Sequence, residues 1–309
     1  MARFLPDDID FSDYEKATEF KAKVLPPAAF EEEVKAEFER AGRPADPSMR
    51  STKLGSAIQF RPAEVTVWAG FSGHRKSTIT GQVALDLVQQ DQRTLIVSLE
   101  MPPRRTLARM VMQACAHDRP DPHSVDRFMR WSDGRLWLFD HVGPLSPVKA
   151  VAVLRYFADE LQGKHVFIDS FMKVVKSEEQ MDAQKDMVER LCELAKETRM
   201  HLHLVAHCRK PPSGSEDKLP TKYDVKGSGS ITDQPDNVLM VWENKRKRAE
   251  ELKPTPDPDV MRGPDGVVIV DKQRNGGVEG KFGLHIDPRS LRFSDYAGGG
   301  GQPYDMERP

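Results

Sequence analysis

The chain has 309 residues, of which 38% are hydrophobic and 30% are charged, and its formal net charge at pH 7 is -2. This composition is typical of a water-soluble globular protein, and the near-neutral charge excludes a global positive field that would attract nucleic acid. The three cysteines lack metal-ligand spacing, and the sequence shows neither a signal-peptide pattern nor a membrane-spanning apolar run. We therefore expect a reduced, cytoplasmic protein with no membrane partner.

Residues 1–50 are acidic and form a predicted N-terminal arm. Within this arm, the segment AAFEEEVKAEFERAG places Phe30, Val34 and Phe38 on one stripe of a helix. The sequence leaves two interpretations of this narrow apolar face open. The helix either covers its own domain or docks on a neighbouring subunit.

Between residues 51 and 295, short apolar runs alternate with helical patterns. Five runs are predicted strands, and each but the last is followed by a helix: VTVWAG, TLIVSLE, RLWLFD, HVFIDS and HLHLVAH. Near-continuous apolar runs are typical of strands buried on both faces, and helical crossovers predict a mostly parallel sheet in an α/β domain. Four later runs predict antiparallel strands at the sheet edge: DNVLMVWEN, VVIVDKQ, KFGLHID and LRF. The Gly-rich residues 296–309 predict a flexible C-terminal tail.

The stretch AGFSGHRKST, residues 69–78, joins the first of these strands to a helix. A strand, a glycine-bearing loop, Lys-Ser and a helix are the context of a phosphate-binding loop. In such a loop, Lys76 would reach the β- and γ-phosphates of ATP, and the Ser77 hydroxyl would hold Mg²⁺. The predicted nucleotide-binding residues are Gly70, Gly73, His74, Arg75, Lys76, Ser77 and Thr78.

Arg75 departs from the pattern G-x-x-x-x-G-K-[ST], which has glycine immediately before the lysine. An arginine there needs a backbone conformation that a side chain tolerates, and it adds a cation near the phosphates. It either weakens nucleotide binding or helps to neutralise phosphate charge, and the sequence leaves both open. We predict a working but atypical loop.

Two acidic residues end predicted strands. Asp169 ends the apolar run of HVFIDS, at the position of a Walker B aspartate, and would hold Mg²⁺ through water. Glu100 ends TLIVSLE, at the carboxyl edge of the sheet, where open α/β folds bind ligands. A carboxylate at that edge can orient or deprotonate an attacking water, so we predict a catalytic role for Glu100.

Several segments, in their order and spacing, resemble the ATPase core of DnaB-family replicative helicases and their phage and mitochondrial, Twinkle-like relatives. They are SLEM, HCRKP, KGSGSITDQPDNVLMVWENK and DKQRNGG, and the resemblance runs from about Val65 to Phe293. It implies a RecA-like fold and an ATP-driven ring, a homo-hexamer or similar. Such a ring would translocate 5′ to 3′ on single-stranded DNA and unwind the duplex.

The resemblance also implies roles for individual residues. Glu100 matches the catalytic glutamate of the family, in agreement with its place at a strand end. His207 matches a polar residue that senses the γ-phosphate and couples it to the DNA-binding loops. Lys272 and Arg274 match a basic pair that reaches into the ATP site of the next subunit as an arginine finger.

Contacts with DNA are expected from two loops. The segment RKPPSGSEDKLPTKYDVKGSGS is too long for a simple connection between strands, and the segment SFMKVVKSEEQ follows Asp169. Both carry cations that suit contacts with the phosphate backbone rather than with bases. These candidate residues are Arg209, Lys210, Lys218, Lys222, Lys226, Lys173 and Lys176.

The sequence leaves two other functions open. One is a RecA- or RadA-like recombination ATPase, and the other is an ATP-binding loader or scaffold in which Arg75 impairs hydrolysis. The sequence contains neither a segment of primase-domain length before Val65 nor a zinc-ribbon cysteine pattern. A separate primase or polymerase is therefore an expected partner, in a bacterial or phage-infected cell.

Overall fold

The computed structural model describes residues 3–4, 26–38, 46–49, 52–175, 181–211, 217–276 and 278–307. Its strands are β1 (Arg3–Phe4), β2 (Val65–Gly70), β3 (Thr94–Ser98), β4 (Leu136–Leu138), β5 (His165–Asp169), β6 (His201–His207), β7 (Asn237–Glu243), β8 (Gly266–Gln273), β9 (Gly280–Ile286) and β10 (Phe293–Ser294). Its helices are α1 (Glu31–Phe38), α2 (Lys53–Ala57), α3 (Lys76–Gln89), α4 (Pro103–Cys115), α5 (Pro122–Ser132), α6 (Pro147–Asp159), α7 (Met181–Thr198), α8 (Ser230–Asp233), α9 (Lys245–Glu250) and α10 (Pro258–Met261).

The strands form a single sheet in the order β1-β4-β3-β5-β6-β2-β7-β8-β9-β10. The pairs from β1 to β7 are parallel, whereas β8, β9 and β10 join the edge in antiparallel register. This arrangement confirms the predicted α/β fold, with a mostly parallel sheet and antiparallel strands at its C-terminal edge. The prediction was wrong for DNVLMVWEN, because this run forms β7, which pairs in parallel with β2 inside the sheet. Helix α5, which begins at the side-chain cap of Asp121 and buries Phe128 and Trp131, was not predicted.

Apolar side chains cover both faces of the sheet, as the continuous runs predict. Val67 of β2 belongs to the core layer under α6 and α7, and its neighbour Trp68 belongs to the layer under α3, α4 and α5. Each fully buried aliphatic or aromatic side chain of this kind contributes about 1.5–3 kcal/mol. The two layers hold the parallel strands in register, so that their carboxyl ends lie at one edge. None of the helices that the structure describes has the length and apolarity to span a bilayer.

Three histidines lie inside this core. His203 Nε2 lies 3.3 Å from His165 Nδ1, and its Nδ1 accepts a hydrogen bond from Trp68 Nε1 at 3.3 Å. His201 Nε2 lies 2.8 Å from Thr66 Oγ1. Burial lowers the pKa of His201 to about 4 and holds the pKa values of His165 and His203 well below the ordinary value. The cluster is therefore a set of neutral rings at neutral pH.

The apolar stripe formed by α1 and by Phe30, which directly precedes it in a 3-10 turn, is exposed. Phe30 is 41% exposed, Val34 is 51% exposed and Phe38 is 82% exposed. The helix therefore does not cover its own domain, which was one of its two interpretations. Docking on a neighbouring subunit stays a prediction.

The C-terminal tail differs from the expected flexible segment. The Tyr304 hydroxyl donates a hydrogen bond to Asp86 Oδ1 at 2.7 Å, and the Arg292 guanidinium lies 4.6 Å from the centre of the Tyr304 ring. Met306 is buried in the core layer of α3, α4 and α5. Apolar and aromatic side chains at the end of the chain thus outweigh the freedom of its glycines, and the tail packs on the domain.

Candidate active site

Parallel strands end at one edge of the sheet, and this edge carries the predicted active-site residues other than Lys272 and Arg274. In the register of the sheet, Ser98 pairs with Asp169, and Gly70 pairs with His207. The loops that follow these strands therefore meet at one open cleft of about 370 Å³. It is lined by Ser72, Gly73, His74, Arg75, Lys76, Ser77, Thr78, Glu100, Arg109, Asp169, His207 and Arg248. We call it the phosphate cleft.

The loop after β2 depends on two glycines. A Cβ atom on Gly70 would lie 2.2 Å from the carbonyl oxygen of Val241, so a side chain would push β7 away from β2. Gly73 has a φ of 77°, which side chains disfavour. Arg75 adopts the left-handed region too, with φ 58° and ψ 22°. A residue other than glycine costs about 1 kcal/mol there.

Lys76 is the first residue of α3, and its ammonium folds back onto the loop. Nζ donates hydrogen bonds to the carbonyl oxygens of Gly70, at 3.0 Å, and Phe71, at 2.8 Å. Burial lowers the pKa of Lys76, and the nearby Asp169 carboxylate opposes that shift. The start of α3 and its buried ammonium together favour an anion at this position.

Asp169 lies beside the start of α3. Burial raises the pKa of Asp169, while a hydrogen bond from the Ser77 side chain acts in the opposite direction. The two predicted oxygen ligands of Mg²⁺ are thus adjacent. Among the described residues, no group of three or more His, Cys, Asp or Glu side chains could hold a metal. Two ligands fit Mg²⁺, which usually takes one or two protein oxygens together with waters and substrate phosphates.

Glu100 makes two contacts across the cleft. Ser170 Oγ donates a hydrogen bond to Glu100 Oε1 at 2.9 Å, and His207 Nε2 lies 3.4 Å from the same oxygen. The hydrogen bonds from His207 and Ser170 lower the pKa of Glu100 to about 2, although its partial burial acts in the opposite direction. Glu100 is therefore ionised at neutral pH. A carboxylate this acidic is better suited to orient a water molecule than to take its proton completely.

Arg75 forms an ion pair that the sequence pattern did not indicate. Its Nε lies 2.6 Å from Oε1 of Glu243, the last residue of β7. The same carboxylate oxygen lies 3.4 Å from Nη1 of Arg248 on α9. The backbone N–H of Glu243 donates to Nδ1 of His74 at 3.0 Å. Burial lowers the pKa of His74 to about 4, so its neutral ring can accept this bond.

Sequence reasoning missed three residues that line the cleft, namely Ser72, Arg109 and Arg248, and it also missed Glu243, which pairs with Arg75 beside it. Arg109 lies on α4, where burial lowers its pKa and the nearby Asp169 carboxylate raises it. Its Nε atom is buried without a hydrogen-bond partner in the part of the chain that the structure describes. No motif marks the two arginines, because α4 and α9 reach the cleft only through the fold.

A second cleft, of about 630 Å³, adjoins the first, and Glu100 and His207 line both. Four of the predicted DNA-binding residues line it, namely Lys173, Arg209, Lys210 and Lys226. Backbone hydrogen bonds hold its two basic segments together, from Arg209 N to the Asp224 carbonyl and from Lys226 N to the His207 carbonyl. We call it the basic cleft.

The other predicted DNA-binding residues lie elsewhere. Lys218 is exposed and Lys222 is half-buried, and neither lines the basic cleft. The Lys222 backbone N–H donates to Asp271, and its ammonium lies 5.6 Å from the centre of the Tyr223 ring. Lys176 lies outside the described residues. The predicted DNA-binding residues therefore do not form one continuous surface.

Lys272 and Arg274 lie at the edge of the sheet opposite to the phosphate cleft of their own chain. Strand β8 runs antiparallel to β7, so that its last residue, Gln273, pairs with Asn237 at the start of β7. The cleft lies at the other end of β7, beyond Glu243. At about 3.3 Å per residue, the two ends are roughly 20 Å apart.

The two basic side chains make different contacts at that edge. Lys272 Nζ donates to three carbonyl oxygens at the end of α8, those of Thr232, Asp233 and Pro235. Burial lowers the pKa of Lys272. Arg274 Nη1 lies 3.3 Å from Asp236 Oδ1, and the Arg274 side chain is 50% exposed. Arg274, rather than Lys272, therefore has a charged group that is accessible to another molecule.

A parallel sheet with a phosphate-binding loop after its central strand, and with an aspartate and a glutamate at neighbouring strand ends, defines a P-loop nucleotide-binding protein. The family described as the DnaB-like helicase C terminal domain matches residues 52–295. This match spans most of the chain, and the chain belongs to that family.

Solved structures show the same fold. One of them, described as an ATPase domain, is 14% identical, with a TM-score of 0.69, over 86% of this chain and 98% of that chain. A structure of a DnaB-like replicative helicase and its interactions with primase is 15% identical, with a TM-score of 0.69. It covers 84% of this chain and 66% of that chain. These similarities confirm the predicted RecA-like fold.

Proposed function

We propose that this chain is the ATP-driven motor of a ring-shaped replicative DNA helicase. The ring, a hexamer by analogy with the family, would translocate 5′ to 3′ on single-stranded DNA and separate the duplex ahead of it. One observation carries the proposal beyond family membership. Glu100 and His207 contact each other and line both the phosphate cleft and the basic cleft, so that one pair of side chains faces both ligands.

Hydrolysis follows from the charges at the phosphate cleft. The backbone of residues 73–78 and the ammonium of Lys76 would bind the phosphates, and the negative charge of the leaving group would develop beside that ammonium. Mg²⁺, held by Ser77 and through water by Asp169, would neutralise phosphate oxygens. Glu100, ionised and fixed by Ser170 and His207, would orient the attacking water in line with the γ-phosphate.

The position of Arg274 supports action between subunits. Because it lies at the opposite edge of the sheet from its own cleft, it cannot reach a nucleotide bound by the same chain. Its half-exposed guanidinium suits contact with the γ-phosphate in a neighbouring subunit, where it would stabilise charge in the transition state. The ammonium of Lys272, which donates hydrogen bonds to three carbonyl oxygens, would instead anchor the end of β8 to the end of α8.

Single-stranded DNA would occupy the basic cleft. Lys173, Arg209, Lys210 and Lys226 present cations there, and the described residues of the lining include no Phe, Tyr or Trp, an arrangement that suits phosphates rather than bases. Because Arg209 follows His207 by two residues, a shift of DNA in this cleft would reach Glu100 through His207. One relative is described with its primase interactions, and we extend the proposal to a separate primase as a partner.

The two alternatives differ in what supports them. The family match favours the helicase over a recombination ATPase. The ion pair between Arg75 and Glu243 argues against a loader with impaired hydrolysis, because it draws the guanidinium toward β7 and leaves the cleft open at Lys76.

A comparison of wild type with Lys76→Ala tests the proposal. Wild type should hydrolyse ATP faster when single-stranded DNA is added and should unwind a tailed fork, and Lys76→Ala should do neither. DNA-stimulated hydrolysis without unwinding would favour the recombination ATPase. ATP binding without hydrolysis in wild type would favour the loader.

A further inference from the structure

Glu243 is tied to two consecutive residues of the phosphate-binding loop. Its carboxylate lies 2.6 Å from Arg75 Nε, and its backbone N–H donates to His74 Nδ1 at 3.0 Å. The Glu243 side chain is only 3% exposed, so this ion pair is screened little by solvent. Its second oxygen, Oε2, is buried and has no hydrogen-bond partner among the residues that the structure describes.

The Glu243 carboxylate contacts two guanidinium groups. Arg75 and Arg248 both contact Glu243 Oε1, and both line the phosphate cleft. They lie on the β7 side of that cleft, whereas Glu100 follows β3 on the far side of Asp169 in the strand order. Without Glu243, the Arg75 guanidinium would lose its paired carboxylate, and repulsion from the ammonium of Lys76, its neighbour in the chain, would no longer be offset there.

We propose that Glu243 is a positioning residue for this atypical loop. It holds Arg75 in the left-handed conformation that glycine would adopt without help, and it sets the guanidinium at the rim of the phosphate cleft as a further cation for the nucleotide phosphates. Glycine would adopt this backbone conformation unaided, whereas Arg75 is stabilised in it by an ion pair with the last residue of β7. This inference rests on the proposed binding of ATP.

A double-mutant cycle tests it. The affinity for a fluorescent ATP analogue with Mg²⁺ is measured for wild type, Glu243→Gln, Arg75→Gly and the double variant. Glu243→Gln should weaken binding about tenfold in the wild-type background, as expected for loss of a bond to a charged group. In the Arg75→Gly background the same change should have an effect below about twofold, because no guanidinium remains at position 75 for Glu243 to hold.

Controls separate positioning from folding. Glu251→Gln removes an exposed carboxylate close to Arg248 in sequence and should leave affinity unchanged. Thermal midpoints check that each variant is folded. If Glu243→Gln does not fold, Glu243→Asp keeps the charge but shortens its reach, and should show a smaller loss that Arg75→Gly also removes.

Equal losses of affinity in both backgrounds, or no loss in either, would overturn the role of Glu243. A wild-type protein that does not bind the analogue would instead contradict the proposed function itself. The two failures are therefore distinct.

Discussion

His207 Nε2 lies 3.4 Å from Glu100 Oε1, and this contact joins the end of β6 to the carboxylate at the phosphate cleft. Two residues after His207 the chain enters the basic cleft with Arg209 and Lys210. Because the contact involves an ionised carboxylate, small movements of the imidazole would change both the position and the basicity of Glu100.

Glu100→Gln should bind nucleotide with near wild-type affinity but hydrolyse it at least about 100-fold more slowly, because an amide orients and polarises water poorly. Steady-state hydrolysis and equilibrium binding on the same preparation measure both quantities. Unchanged hydrolysis would move the water-orienting role to another carboxylate, with Asp169 the next candidate.

His207→Ala should uncouple hydrolysis from DNA. The expected result is a ratio of DNA-stimulated to basal hydrolysis that falls toward one, because the contact between the two clefts is lost. His207→Gln, which retains a hydrogen-bond donor, should recover part of the stimulation. A ratio that stays at the wild-type value in His207→Ala would show that the signal takes another route.

Lys210→Ala and Lys218→Ala form a matched pair for DNA binding. Lys210 lines the basic cleft, whereas Lys218 is exposed outside it. Lys210→Ala should weaken binding of a single-stranded oligonucleotide and reduce the slope of log K against log salt by about 0.7, the value for one phosphate contact. Fluorescence anisotropy over a salt series measures both. Equal effects of the two changes would argue against the basic cleft as the DNA site.

Mixtures of inactive variants test action between subunits. Arg274→Ala and Glu100→Gln should each be nearly inactive alone and recover part of the ATPase activity when mixed. Some interfaces then combine an intact Glu100 with an intact Arg274. Lys76→Ala mixed with Glu100→Gln is the control, because both changes affect one subunit's cleft and no mixed interface is complete. Without recovery at any ratio, and with co-assembly verified, Arg274 would not act in trans.

Acid should destabilise the fold through the histidine cluster. Since burial lowers the pKa values of His165, His201 and His203 below 6.5, the unfolded chain binds protons that the folded chain does not. This contribution is present above pH 6.5 and is lost as the pH falls below it, for His201 down to a pKa of about 4. The free energy of unfolding decreases by on the order of 1 kcal/mol per pH unit for each histidine that stays neutral in the folded chain.

Chemical denaturation at pH 7.5 and 5.5 measures this loss. His201→Gln should reduce the pH dependence of the unfolding free energy by about a third, since a third of the titrating groups is removed. His123→Gln, at an exposed position, should leave it unchanged. Other groups, such as Glu64, whose pKa burial raises, affect all three proteins alike and cancel in the comparison. Identical slopes in wild type and His201→Gln would contradict the prediction.

Much of the fold could be predicted because its signals are local. Continuous apolar runs predicted strands buried on both faces, and the strand-end positions of Glu100 and Asp169 predicted that they share one edge of the sheet. Lys76 and Ser77 follow from the same logic, since the loop and the helix start are contiguous in sequence. Because parallel strands run in the same direction, residues at their carboxyl ends lie at the same edge of the sheet.

Sequence composition predicted less well those features that depend on tertiary packing. The glycines of residues 296–309 indicated a flexible tail, yet Tyr304 and Met306 pack on the domain because the space beside α3 and α4 accommodates them. Seven basic residues indicated DNA-binding loops, and four of those that the structure describes share a cleft. Charge and flexibility are properties of single residues, whereas a surface depends on which of them the fold brings together.

By itself, then, the sequence determined that this protein has a P-loop pattern on a parallel sheet, with two carboxylates, those of Asp169 and Glu100, at strand ends. Only the tertiary structure decided which residue pairs with the arginine of that loop. Arg75 and Glu243 are 168 residues apart, and they meet because β7 pairs directly with β2. The physical reason is that sequence neighbours determine the local backbone geometry, whereas the partner of a buried charge depends on the order of the strands in the sheet.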